Sequence, residues 1–331
     1  MRQGKEGMPM RRRGLLAALA LPGLAAPWPG RAQPGWPSRP IRLVIPFPPG
    51  GTTDILARLI APPLAAALGQ GVVIENRSGG AGAVGVVETL RAPPDGHTIA
   101  ITISTLITAA LLTRQPYHPV NDVAPILHLA NVANILVVNK ALPVTSVGEL
   151  IAHAKARPGQ LSYGSPGIGT SVHLSAVMFE QAAGVEMVHV PYRGGGPALA
   201  DLVGGQLQLM FGNASSTLPF VRAGDVRPLA VTAAQRQAYA PTLPTIAEAA
   251  IPGFEVAEWY AVIGPAGLPP EIAARLNREI LAIIGTPEGR AKLLELGAEV
   301  VGGTPEEFGA FLRADFARTE AVIQRAGIKA E

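Results

Sequence analysis

Short β-branched runs alternate with longer stretches of helical periodicity along most of this chain, and that alternation is the pattern of βαβ units laid around parallel sheets. Candidate strands fall at residues 41–45, 72–75, 98–103, 135–138, 188–190, 207–211 and 227–232. Helical spacing of apolar residues appears at 54–68, 146–156, 171–183, 197–204, 270–284, 287–296 and 305–326, the last three reading as a C-terminal helical run. Pro197, Pro270, Pro287 and Pro305 suit first-turn positions, where a missing N–H costs nothing. Pro62 and Pro63 sit inside the first helical pattern and predict a kink there. The apolar, uninterrupted segments 135–138 and 256–263 read as two crossings between lobes, which makes the first lobe discontinuous: 38–135 plus 262–331, with 136–261 between. A chain of 331 residues, 48% hydrophobic, is long enough for two such α/β lobes.

The N-terminus is a different kind of segment. Arg11, Arg12 and Arg13 precede the apolar run Leu15 to Leu21, and small residues and prolines follow as far as Ala32. That order is the pattern of an export signal over residues 1–32, by the general or the twin-arginine route, and it implies a periplasmic location. The apolar run is too short to span a bilayer. Residues 1–32 hold six basic side chains and one acidic, so the formal charge of +3 belongs to the leader and the remainder is near −2. No basic footprint for nucleic acid follows from that balance. Zero cysteines rules out disulfides, thiolate metal sites and cysteine nucleophiles.

The residues that could hold a ligand cluster in glycine-rich loops between strand ends and helix starts, where open α/β sheets form their crevices. The first loop runs from Pro46 through Phe47, Gly50 and Gly51 to Thr52, Thr53 and Asp54. Its glycines permit close backbone approach, Thr52 or Thr53 can cap the helix, and the positive helix end favours an anion. Read alone, it is equally a tight turn before an ordinary capped helix. The second half repeats the design with Ser165, Gly167, Gly169, Thr170, Ser171 and His173, where His173 faces either the cleft or a neighbouring loop. A third loop places Tyr192, Arg193 and Gly194 before another helix; Tyr192 is the cleft-wall candidate, Arg193 a carboxylate partner or a solvated surface residue. Ser104 and Thr105, and Gly212 with Asn213, close the wall at two further strand ends.

A complete GxGxxG stands at Gly80, Gly82 and Gly85. A dinucleotide site also needs an acidic residue about 20 positions on, at the end of the next strand, and that strand ends in Ser104 and Thr105. The glycines are therefore read as a close-approach loop at the cleft rim. No HExxH, GxSxG, P-loop or paired-carboxylate arrangement assigns chemistry, so the expectation is a binder without cofactor or metal.

Taken in order, five stretches resemble the substrate-binding proteins of tripartite tricarboxylate transporters, the Bug-type receptors: Ile45 to Asp54, Val73 to Arg77, Pro94 to Thr98, Gly167 to His173, and Val190 to Pro197. The resemblance implies a two-lobed periplasmic binding fold of type II character, each lobe a mostly parallel sheet flanked by helices with a hinge of two crossing strands. It implies a monomer that grips a small carboxylate and delivers it to integral-membrane subunits; a periplasmic sensor or an enzyme on the same scaffold are the alternatives. Two departures stand out. Leu106 to Ala110 is apolar where many relatives carry His and Asn, and Gly212 stands where a number carry Asp. Both shift the expected ligand from amino acids towards simple or aromatic carboxylates.

Overall fold

The structure, a computed structural model, describes residues 35–192 and 194–329; the export signal read at 1–32 and Arg193 lie outside the described residues. In chain order the elements begin with β1 (Ile41–Ile45), α1 (Thr52–Leu68), β2 (Val72–Asn76), a 3-10 turn at Gly80–Gly82, α2 (Ala83–Leu90), β3 (Thr98–Ile103), α3 (Thr105–Leu112) and β4 (Val123–Val138). They continue with α4 (Val147–Ala156), β5 (Ser162–Ser165), α5 (Ser171–Ala183), β6 (Val188–Pro191), α6 (Gly195–Val203), β7 (Leu209–Asn213), α7 (Ala214–Ala223), β8 (Arg227–Val231) and α8 (Ile246–Ala249). The last are β9 (Ala257–Pro265), α9 (Pro270–Ile284), α10 (Pro287–Glu295), β10 (Ala298–Gly302) and α11 (Pro305–Ala326).

Two half-sheets share β4. In the first, β1 lies between β2 and β3 in parallel, and β9 runs antiparallel between β3 and β4, with β10 also antiparallel to β4. In the second, β4 pairs antiparallel with β7 and β8, while β5 joins β6 and β7 in parallel. The architecture is thus α/β, as the alternation predicts, but each half-sheet is mixed: β1 with β2 and β3, and β5 with β6 and β7, pair in parallel, while every pairing of β4 and β9 is antiparallel. Strand partners change between Ala133, opposite Ala257 of β9, and Asn134, opposite Asn213 of β7. The returning chain passes Thr232, whose carbonyl accepts from the Val256 N–H (2.9 Å), and enters β9 at Ala257. The fully buried Asn134 fixes this crossing: its N–H donates to Thr232 Oγ1 (2.9 Å), its Nδ2 donates to Ser175 Oγ (3.0 Å), and Thr232 Oγ1 donates to the Val256 carbonyl (2.6 Å).

Local sequence explains most helix positions. In α1, Leu56, Ile60 and Leu64 recur every fourth residue and are wholly buried against the sheet, each contributing about 2 kcal/mol of burial. Thr304 and Glu307 form a capping box that starts α11, and Thr245 with Glu248 starts α8 the same way. One apolar cluster continues through β4 from Ile126 and Leu129 into Ile135 and Val137, so packing joins the two half-sheets at their shared strand.

Several expectations are corrected. α1 runs unbroken through Pro62 and Pro63, which lie on its exposed face, where water can serve the carbonyls that lose their donors. α6 starts at Gly195, two residues ahead of the pattern read from 197, which leaves Pro197 third in the helix and still in its first turn. The C-terminal helices are not a continuous run, because β10 separates α10 from α11 and pairs with β4. β4 begins at Val123, far ahead of 135–138, since its alternating first half carries His128 and Asn131 and hides the strand signal. β5, four residues of which three are small, gives too short a pattern to read.

Candidate functional site

Five helices, α1, α3, α5, α6 and α7, start directly after the C-terminal ends of β1, β3, β5, β6 and β7. The loop before α1 is held from within. Asp54 is 2% exposed and accepts from Gly50 N–H (3.0 Å), Arg58 Nε (2.8 Å) and Asn76 Nδ2 (3.1 Å). The Arg58 guanidinium, helped by Gly50 and Asn76, holds its carboxyl down at about 2 against the cost of burial. Gly50 is therefore engaged, and the helix N-cap is Gly51 rather than Thr52 or Thr53, with no side-chain cap. The amides of Thr52, Thr53 and Asp54 have no acceptor inside the helix, so the start of α1 presents N–H donors and the positive end of the helix dipole without a side-chain cap. Thr53 itself is buried, and Phe47 packs its ring beside Gly82 while its carbonyl accepts from Asn76.

The second loop is built more tightly. Ser165 is fully buried, donates to the Gly167 carbonyl, accepts from the Gly167 amide and contacts His189 Nε2 at 2.7 Å. Thr170 caps α5 by accepting from His173 N–H and donates to Gly167. His173 Nδ1 in turn accepts from Gly169 N–H (3.2 Å), and its ring stacks on His189 at 4.2 Å. Burial and the neighbouring His189 push its pKa down to about 4, so it is neutral at ordinary pH. His173 thus turns back onto its own loop and onto the His189 ring of β6, and the Gly169 amide is engaged.

The two half-sheets meet between these starts. Thr52 Oγ1 of α1 lies 3.1 Å from Ser215 Oγ of α7, and Ser215 donates to Asn213 Oδ1 (2.7 Å), the N-cap of α7. The side chains of Thr52 and Asn213 both approach the hydroxyl of Tyr260 on β9, whose pKa is pushed well up by burial and by Glu258. Glu258, also on β9 and 5% exposed, accepts from the Ser104 amide at the start of α3 (2.9 Å) and interacts with Ser171, the first residue of α5. Burial raises its pKa, favouring the neutral acid, and Asp315 adds to the effect. Thr105 is buried as the first residue of α3. A Cβ on Gly169 would stand 2.6 Å from Leu112 Cδ1 of α3, so the second loop touches that helix directly. Between them a groove of about 410 Å³ opens, lined from one side by Gly80, Ala81, Ala109 and Leu112 and from the other by Gly167, Ile168 and Pro191. No group of three metal-ligating side chains occurs among the described residues.

Two further sequence candidates sit less directly. Tyr192 donates its hydroxyl to Asp201 of α6 (2.6 Å), which pins the ring and engages the donor expected for a ligand. Gly194 is the N-cap of α6 at φ 138, and Gly195 comes within van der Waals reach of Pro166 and Ser216 at the same end of the second half-sheet.

The sequence profile of the tripartite tricarboxylate transporter family receptor matches residues 56–328. The chain belongs to this family. BugT of Bordetella pertussis is 34% identical over 94% of this chain and 95% of its own length. An R. palustris protein solved with adipate is 44% identical, covering 89% of this chain and 99% of its own, with a TM-score of 0.80. MatC of Rhodopseudomonas palustris, with bound malate, is 31% identical over 87% of this chain and 100% of its own, with a TM-score of 0.76.

Within this tripartite-transporter receptor, the GxGxxG is a packing device as well as a rim. A Cβ on Gly82 would stand 3.0 Å from the Phe47 ring, and one on Gly85 would stand 2.9 Å from the Pro46 backbone, so α2 closes onto the first loop only through glycine. Gly212 has its own reason: a Cβ there would stand 2.2 Å from Thr217 Oγ1, so Thr217 fills the space where an Asp side chain would begin. Tyr260, Glu258 and Ser215 are functional candidates that the sequence motifs do not mark. A lone acid within the apolar stretch 256–263 is the available signal for Glu258, because an unpaired carboxyl is seldom buried without a task.

Proposed function

We propose that this protein is an exported receptor that closes two lobes, 38–135 plus 262–331 and 136–261, around a small carboxylate and delivers it unchanged to integral-membrane transporter subunits. The observation that carries the reading is the meeting of helix starts from both half-sheets: Thr52 with Ser215, and Ser104 with Ser171 through Glu258. Each helix start adds a partial positive charge, worth about 0.3–1 kcal/mol apiece to an anion, so a carboxylate touching several of them selects the closed arrangement. The uncapped amides of α1 are the primary seat, with the hydroxyls of Thr52, Ser104, Thr105 and Ser171 and the amide of Asn213 around it. Phe47, Gly50, Gly51, Thr53, Ser165, Gly169, Thr170, His173, Tyr192 and Gly194 shape and hold the loops that present it.

Relatives solved with adipate and with malate support a carboxylate as ligand. Membership of a tripartite transporter family supports delivery to membrane subunits, and the N-terminal pattern supports a periplasmic location. Among the described residues no helix is long and apolar enough to cross a membrane.

The test is a thermal-shift screen of residues 33–331 against mono-, di- and tricarboxylates, followed by mass spectrometry of the recovered ligand. A carboxylate at a hundredfold its Kd should add about 2.7 kcal/mol of stability and return intact. A carboxylate that is consumed points to an enzyme, and a screen in which none stabilises removes the receptor reading.

A further inference from the structure

The groove between the half-sheets is one-sided in its chemistry. Ala81, Ala109 and Leu112 face it from one half, and Ile168 and Pro191 from the other. On its polar fringe Thr113 Oγ1 donates to the Ala109 carbonyl (2.7 Å) and accepts from Gln115 Nε2 (2.6 Å). Thr108, the remaining hydroxyl, lies against Gly169. No charged side chain lines this stretch among the described residues. The first loop borders this wall through Phe47, whose ring lies beside Gly82, next to Gly80 and Ala81 of the groove. Leu112 also packs against the Gly169 loop, so the wall is made where the two halves touch.

We propose that the captured ligand is a carboxylate with an unsubstituted hydrocarbon body, aliphatic or aromatic, and that Leu112 and Ile168 are the residues that select it against hydroxylated acids. The inference rests on the carboxylate-receptor reading and narrows it. Each methylene buried along this wall gains about fourfold in affinity. A hydroxyl placed against Ala81, Ala109, Leu112, Ile168 or Pro191 gives up water to side chains that offer it no hydrogen bond, a loss of roughly tenfold or more. Malate and citrate carry a hydroxyl on their short bodies; adipate has only methylenes between its two carboxylates, and hexanoate has methylenes ending in a methyl group.

The experiment is titration calorimetry of residues 33–331 with hexanoate, adipate, malate and citrate, repeated on Leu112→Asn and Ile168→Asn. Hexanoate or adipate is expected to bind at least tenfold more tightly than either hydroxy acid, and each variant should shrink that preference about fivefold or more. The two variants sit on opposite halves, both at partly exposed positions, so the loss of one fold leaves the other to read. Malate or citrate binding as tightly as the hydrocarbon acids overturns the inference while leaving the receptor reading intact. A preference that stays unchanged in both folded variants overturns it equally. Absence of binding by all four, together with a failed thermal-shift screen, overturns both.

Discussion

The loops before α1 and α5 look alike in sequence and share one device in structure. In each, a glycine amide donates to the side chain four residues on: Gly50 to Asp54, Gly169 to His173. The difference lies in what remains. Asp54 is an anion balanced by Arg58, and α1 is left without a side-chain cap. His173 is a neutral ring, α5 is capped by Thr170, and Ser165 ties the loop down further. One loop offers free helix amides; the other offers a rigid, largely self-satisfied wall. Glycine-rich turns of matching pattern thus take different parts, decided by which side chains engage their donors.

The same substitution in the two loops separates these parts most sharply. Gly169 sits at φ +79, and a Cβ there would meet Leu112 at 2.6 Å. Gly169→Val should lose about 3 kcal/mol of stability along with ligand binding. Gly51 has φ −76 and only the Pro48 carbonyl 3.8 Å from its would-be Cβ, so Gly51→Val should keep stability to within about 1 kcal/mol while binding weakens. Urea melts and calorimetry on both variants check this. Equal destabilisation in the two would erase the contrast between a strained wall and an open seat.

Acid should also act on the second loop before the first. The folded pKa of His173 is depressed from 6.5 to about 4, so its contribution is present above the unfolded value and is lost as pH falls from about 6.5 to 4. Asp54 is depressed to about 2, and its contribution persists until pH falls below the usual carboxylate range. The His173 slope amounts to at most about 3 kcal/mol. His173→Gln, which keeps an acceptor for Gly169, should flatten stability between pH 7 and 4; an unchanged slope would assign the titration elsewhere.

The buried carboxyl between α3 and α5 behaves in the opposite sense. Glu258 has a raised folded pKa, so its neutral form contributes fully below the unfolded value, and that contribution is lost as pH rises through the folded value. Glu258→Gln should therefore gain about 1 kcal/mol relative to the wild type at pH 8 and gain nothing at pH 4, measured by thermal melts at both. A variant less stable at both pH values would mean that the charged form is the one the fold requires.

Much of this was legible in the residues. β1, β3, α5, α9 and α11 fall where their patterns put them, because each is a buried apolar run or a clean helical period with a marked start. The family pattern located the loops as well. The donors' destinations were not legible. Nothing local shows that Tyr192 would turn to Asp201, that His173 would face Gly169, or that Tyr260 and Glu258, on a strand distant in sequence, would sit between the helix starts. Periodicity reports which face of an element is buried; it carries no information about which polar group finds which partner across the fold.

The smallest expected effect isolates the direct link between the halves. Thr52 and Ser215 meet oxygen to oxygen at 3.1 Å across a separation of 163 residues. Thr52→Val keeps shape and removes the hydroxyl, and Ser215→Ala removes its partner. A hydrogen bond of this kind nets about 0.5–1.5 kcal/mol, so each change alone should weaken ligand affinity by a few-fold. If the contact exists in the closed, liganded state, the double variant should be little worse than either single one, since the bond can be lost only once. Full additivity would show that the two hydroxyls act separately, Thr52 through Tyr260 and Ser215 through Asn213. The halves would then be joined at this end through β9 rather than helix start to helix start.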